Sequence, residues 1–122
     1  MHFNHNELVL IYNADDPKGK KAFAYATTIT DKINKQELSS VRISSTMFEK
    51  ALEQSQLSAK EVINKADSFY QKELRGKELT NEEWFNVILR QPSLLKAPIA
   101  LYQGKGVLCN SEADILKLKR LG

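Results

Sequence analysis

The chain has 122 residues, 42% of them apolar and 27% charged, a size at which one compact unit buries most of the surface its unfolded form exposes, so a single domain over residues 1–122 is expected. Its 18 Lys and Arg exceed its 15 Asp and Glu by three charges spread along the sequence, and its four Tyr and five Phe sit mainly in apolar periodic positions, which together weigh against a nucleic-acid partner. One cysteine, Cys109, excludes an internal disulfide and a secreted disulfide scaffold; the stretch from Met1 to Glu7 has no basic segment and the apolar run after it is too short for a signal core or a membrane span, so a cytoplasmic location without membrane association is expected.

Leu8-Val9-Leu10-Ile11-Tyr12 is a continuous apolar run of β-favouring residues, suited to a strand covered on both faces. Asn13-Ala14-Asp15-Asp16-Pro17 breaks it. Pro17 is placed for the first turn of a helix, where its missing N–H costs nothing, and Asp15 or Asp16 can cap the amides there. The spacing of Ala22, Phe23, Ala26, Ile29 and Ile33 predicts a helix from about Pro17 to Ile33. The polar piece Asn34 to Ser40 is suited by its position to an edge strand.

Three helix starts follow with the same signature. Thr46-Met47-Phe48-Glu49, Ser58-Ala59-Lys60-Glu61 and Thr80-Asn81-Glu82-Glu83 each match a capping box, in which a hydroxyl and a later carboxylate satisfy two exposed amides. Pro92 ends the third helix. Pro98-Ile99-Ala100-Leu101-Tyr102 and Val107-Leu108-Cys109 read as two short strands joined through Gln103-Gly104-Lys105-Gly106. Ser111-Glu112-Ala113-Asp114 opens a last helix with an apolar face of Ala113, Ile115, Leu116 and Leu118, and Lys117, Lys119 and Arg120 complement the negative end of its dipole.

This order, β-α-(β)-α-α-α-β-β-α, indicates an α/β domain and resembles that of a thioredoxin-like fold of glutaredoxin type, which implies a mixed sheet of about four strands with a helical insertion at about 46–90. Gln91-Pro92-Ser93-Leu94-Leu95-Lys96-Ala97-Pro98-Ile99-Ala100 resembles the pattern "hPxLhxRPIh" of glutaredoxin-coupled arsenate reductases and Spx-like proteins. Leu57 through Tyr70 is similar to the helical segment before that pattern, and Val107-Leu108-Cys109-Asn110-Ser111 to the strand after it. The chain thus resembles the arsenate reductase (ArsC) and Spx-like family from about Leu8 to Leu118.

The resemblance implies a cis proline at Pro98, against the alternative of a trans proline opening a strand. It also implies a cysteine in the turn before the first helix, where the helix dipole and free amides lower a thiol pKa. That cysteine falls on Asp16 or Pro17, so the site loop Asp15, Asp16, Pro17 holds no sulfur nucleophile. An arginine expected before the proline is Ala97, a second is Asn110, and a third falls near Asn64 or Lys65. Their loss removes both the charge and the bidentate geometry of an oxyanion clamp.

No other residue supplies the chemistry. Cys109 ends a hairpin strand, where a lone cysteine is usually a small buried hydrophobe and not a reactive thiol. His2 and His5 lack metal-ligand spacing, and Asp15 with Asp16 suits a helix cap better than a cation, so no metal and no cofactor is implied. Lys18, Gly19, Lys20 and Lys21 at a helix start could hold an anion without transforming it, although Asp15 and Asp16 would repel one if they point inward. The favoured reading is a catalytically inactive binding or regulatory module that contacts a protein partner, in the manner of Spx-like relatives. The alternative is an arsenate reductase or thiol–disulfide oxidoreductase that uses glutathione or a glutaredoxin and draws on Cys109.

Overall fold

The computed structural model describes residues 7–38 and 43–118. Strand β1, Leu8–Tyr12, forms as expected and runs through the middle of the molecule. Side chains alternate across a strand, so Leu8 and Leu10 enter one core cluster with Ala22, Ala26, Ala100, Cys109, Ile115 and Leu118. Val9 and Ile11 enter the other, with Phe48, Ile63, Trp84, Phe85, Ile99 and Leu101 among its members. The unbroken apolar run in the sequence is therefore the signature of a strand with no solvent face.

Four strands form a mixed sheet in the order β2-β1-β3-β4, where β2 is Ile33–Glu37, β3 is Ile99–Tyr102 and β4 is Lys105–Leu108. β2 lies parallel to β1 with Ile33 opposite Leu8. β3 is antiparallel to β1 with Ala100 opposite Leu10, and β4 is antiparallel to β3 with Leu108 opposite Ile99. The expected α/β architecture with a four-stranded mixed sheet is the one observed, and β2 is indeed an edge strand.

Helix α1 spans Pro17–Ala26 and stops seven residues short of Ile33. The hydroxyls of Thr27 and Thr28 fold back to donate to the carbonyls of Ala24 and Tyr25, each at 2.7 Å, and Thr30 accepts from the Lys32 amide at 3.1 Å. Such local bonds compete with helix propagation, and they release Ile33 to pair in the sheet. β2 accordingly starts one residue earlier than expected; Ser39 and Ser40 lie outside the described residues.

Between β2 and β3 the chain forms α2 (Ser45–Ser55), a 3₁₀ turn at Ala59–Val62, a π turn at Tyr70–Leu74, α3 (Asn81–Arg90) and a 3₁₀ turn at Pro92–Leu94. The Thr80/Glu83 box is present as read, with Thr80 Oγ1 accepting from the Glu83 amide at 3.1 Å and Glu83 from the Thr80 amide at 2.8 Å. The first box is displaced. Ser44, not Thr46, caps α2 by accepting from the Met47 amide at 3.1 Å, so the helix begins one residue before Thr46. The Ser58/Glu61 box starts only a 3₁₀ turn, because Ile63 leaves it in an extended conformation and bridges Leu95. Phe48 stacks on Phe85 at 5.0 Å and Tyr70 on Trp84 at 6.5 Å, tying α2 and the π turn to α3.

The β3–β4 connection is a two-residue loop, tighter than the expected four. Gln103 and Gly104 have φ of 52° and 80°, the pair of positive angles that matches the twist of an antiparallel hairpin. After β4 the last helical segment, Glu112–Leu118, is 3₁₀ throughout. Ser111 and Asp114 cap it: Asp114 accepts from the Ser111 amide at 2.9 Å, and Ser111 Oγ accepts from the Ala113 amide at 3.3 Å. Ile115 and Leu118, three apart, are its buried residues, as a period of three dictates, while Ala113 and Leu116 face outward. Lys119 and Arg120 lie outside the described residues.

Among the described residues no helix is long and apolar enough to cross a membrane.

Candidate functional site

The turn from β1 into α1 is closed by its own polar groups. Asn13 Oδ1 accepts from the Asp15 amide at 3.2 Å, and the Asp16 amide donates to the Asn13 carbonyl at 3.0 Å. Asp16 is the N-cap of α1: its carboxylate accepts from the Lys18 amide at 3.0 Å, and its carbonyl accepts from the Gly19 amide at 2.9 Å. Pro17 follows at the first helical position, as its fixed φ favours. Of the two acidic candidates, Asp16 is thus the cap and Asp15 is exposed.

This capping decides what Lys18, Gly19, Lys20 and Lys21 can offer. An anion at a helix start is held by free amides, yet those of Lys18 and Gly19 already donate to Asp16. Gly19 is buried beneath the Tyr12 ring, where an added Cβ would lie 2.7 Å from Tyr12 Cδ2. Lys20 is exposed on α1 and Lys21 has an interaction of its own.

Cys109 follows β4 and is completely buried, among Leu8, Leu10, Ala22, Ala26, Ala100, Ile115 and Leu118. Burial pushes its thiol up from an ordinary 9.0 to about 12, the Asp114 carboxylate adds to the rise, and Lys117 opposes it. Its amide donates to the Pro98 carbonyl at 2.8 Å. The peptide bond before Pro98 is trans, which corrects the expectation of a cis proline. Trans is the lower-energy isomer of an X–Pro bond, by about 0.5–1 kcal/mol, and here Pro98 is a buried residue opening β3, its carbonyl committed to the hairpin through Cys109.

The positions that the resemblance assigns to arginines converge better. Ile63 bridges Leu95, the Asn64 amide donates to the Leu94 carbonyl at 2.7 Å, and the Lys96 amide donates to the Val62 carbonyl at 2.8 Å. This short extended pairing opens a cleft of about 390 Å³ lined by Leu57, Glu61, Ile63, Asn64, Lys65, Lys96, Leu108 and Asn110. Asn64, Lys65 and Asn110 share it; Ala97 is buried beside it in the chain. None of residues 13–21 lines it, so the turn before α1 does not open onto this cavity.

Lys96 and Glu61 are cleft residues that the sequence reading did not single out as site residues. Lys96 could have been found from alternation, since an extended segment with Leu95 and Ala97 buried sends Lys96 to the other side. Glu61 accepts from the Ser58 amide at 2.8 Å, a bond that holds its carboxyl below the usual carboxylate range, with Lys65 and Lys96 contributing in the same direction. A larger groove of about 610 Å³, between the Tyr70–Leu74 turn and α3, contains none of the predicted site residues. Among the described residues no three of His, Cys, Asp and Glu converge as a metal site would require, and His2 and His5 lie outside the described residues.

The model of the ArsC family matches residues 20–118. An arsenate reductase from Vibrio cholerae superimposes with a TM-score of 0.78 at 15% identity, over 94% of this chain and 99% of that one. A candidate arsenate reductase from Yersinia pestis gives 0.77 at 17% identity, over 90% and 98%, and an arsenate reductase related protein from Brucella melitensis gives 0.61 at 14%, over 98% and 100%. At these identities the likeness is one of fold, the thioredoxin-like arrangement of sheet and helices. Among curated proteins no relative matches the sequence.

Proposed function

The chain belongs to the ArsC family, and we propose that within that family it is a binding or regulatory module and not a reductase. One observation carries the reading. The sequence contains a single thiol, Cys109, and it is sealed in the core with its pKa pushed up to about 12, while the helix start suited to a nucleophile presents the Asp16 carboxylate.

A reductase of this fold needs a thiolate to attack arsenate or a disulfide sulfur. With a pKa near 12, the thiolate fraction at pH 7 is about one in a hundred thousand. Asp16 cannot substitute: a carboxylate bound into a helix cap has no route to a sulfur–arsenic or sulfur–sulfur bond. The clamp is altered in the same sense, with carboxamides at Asn64 and Asn110 and a methyl group at Ala97. What remains is a surface that can hold a partner, a protein, without changing it.

The test is direct. Purified protein supplied with arsenate, glutathione and a glutaredoxin is expected to form arsenite at the rate of the protein-free control. Turnover that disappears in the Cys109→Ser variant would establish the oxidoreductase reading in its place.

A further inference from the structure

We infer that the cleft between the Ile63–Leu95 bridge and the end of β4 binds a carboxylate carried on a short apolar body. This deepens the binding-module reading and rests on it. Four residues that line the cleft carry donors, the carboxamides of Asn64 and Asn110 and the ammonium groups of Lys65 and Lys96. Asn64 is oriented, because its Oδ1 accepts from the Ala66 amide at 3.1 Å, which leaves its Nδ2 hydrogens without a partner among the described residues. The acidic group present, Glu61, is committed through Oε1 to the Ser58 amide and hydroxyl, at 2.8 and 3.2 Å.

Donors outnumber acceptors in this lining, and two lysines stand beside one carboxylate whose Oε1 is already bonded, so the cleft selects a ligand that accepts and is negative. Shape and floor narrow the choice. Leu57, Ile63 and Leu108 supply apolar wall, and about 390 Å³ far exceeds the volume of a lone tetrahedral oxyanion. Carboxamides and ammonium groups also lack the forked guanidinium geometry that suits arsenate or phosphate. A carboxylate with an apolar side chain attached, either a peptide C-terminus or a free carboxylic acid, satisfies both the donors and the floor.

The experiment is a ¹H–¹⁵N NMR titration of the whole chain with N-acetyl-leucine, N-acetyl-leucine amide, a pentapeptide ending in leucine, and inorganic phosphate. N-acetyl-leucine is expected to shift the amides of Asn64, Lys65, Lys96, Leu108 and Asn110, the uncharged amide to bind about tenfold more weakly, and phosphate to need higher concentrations than either acid. Lys65 and Lys96 are exposed, so Lys65→Gln and Lys96→Gln should fold normally and each weaken the acid about threefold. Tighter binding of the pentapeptide than of N-acetyl-leucine assigns the carboxylate to a peptide terminus; equal binding assigns it to a small acid. Equal binding of acid and amide, movement of these amides by phosphate at lower concentration than by either acid, or no shift with any probe would overturn the inference. Arsenate turnover in the separate assay would overturn the binding-module reading even where the cleft binds the acid, so the two failures are distinguishable.

Discussion

The aromatic ring of Tyr12 lies against the Cα of Gly19, so close that a methyl group there would sit 2.7 Å from Cδ2 and 3.3 Å from Cγ. The contact joins the end of β1 to the first turn of α1 and sets how the chain enters the helix. It also gives a packing reason for glycine at this anion-binding candidate position.

Gly19→Ala should therefore destabilise the protein. Alanine in a helix gains about 1 kcal/mol over glycine, but the methyl meets Cδ2, Cγ and Cβ of Tyr12, the base of the side chain and not its far end, and overpacking of this kind costs about 1–3 kcal/mol. The expected result is a net loss of about 1 kcal/mol in urea denaturation. In a Tyr12→Ala background the same change should become stabilising by up to about 1 kcal/mol, and equal effects in both backgrounds would show that the ring is not the cause.

The burial of Cys109 has a pH signature. Its folded pKa, about 12, lies above the ordinary 9.0, so the unfolded chain loses the thiol proton first. Below pH 9 the contribution is fully present. Between pH 9 and about 12 the folded state binds more protons than the unfolded one, and stability falls by up to about 1.4 kcal/mol per pH unit. Comparing chemical denaturation of the native protein with Cys109→Ala at pH 8, 9.5 and 10.5 isolates this thiol from every group that the two proteins share. The difference between the two should shrink as pH rises; a constant difference would mean that the thiol ionises normally in the folded state.

The hairpin loop offers a test of backbone strain. Gln103 holds a φ of 52°, a region where asparagine is tolerated better than glutamine. Gln103→Asn should raise stability by a few tenths of a kcal/mol, about 0.5 at most, and Gly104→Ala, at φ 80°, should lower it by about 1 kcal/mol. Thermal midpoints moving in the same direction for both would contradict the loop geometry.

How far the sequence led depends on which force set each element. β1 was legible because an unbroken apolar pentamer can be satisfied only by cover on both faces. The Thr80/Glu83 box was legible because its donors and acceptors lie within three residues of each other. The end of α1 was not, since Ile29 and Ile33 kept a helical spacing that the hydroxyls of Thr27 and Thr28 overrode locally. Nor was the 3₁₀ form of Ala59–Val62, which is decided by a pairing with Leu95 thirty-two residues away in sequence. At the candidate site, the absence of cysteine from residues 13–21 could be read directly. The cleft could not, because Lys96 and Glu61 meet Asn64 and Asn110 only through that same long-range bridge.

The turn before α1 can be asked whether it still suits a nucleophile. Asp16 caps the helix through the Lys18 amide at 3.0 Å, and removal of such a cap by Asp16→Ala costs about 1 kcal/mol. Asp16→Cys places sulfur at the same helix start, where amides and dipole favour the anion and lower a thiol pKa to about 7 or below. Iodoacetamide at pH 7 should then label one thiol within minutes while Cys109 reacts only after unfolding, and the labelling rate should reach half its plateau well below pH 8.5. A rate that climbs only above that pH would show that the turn does not stabilise negative charge. The Asp16 carboxylate would then be a cap and nothing more.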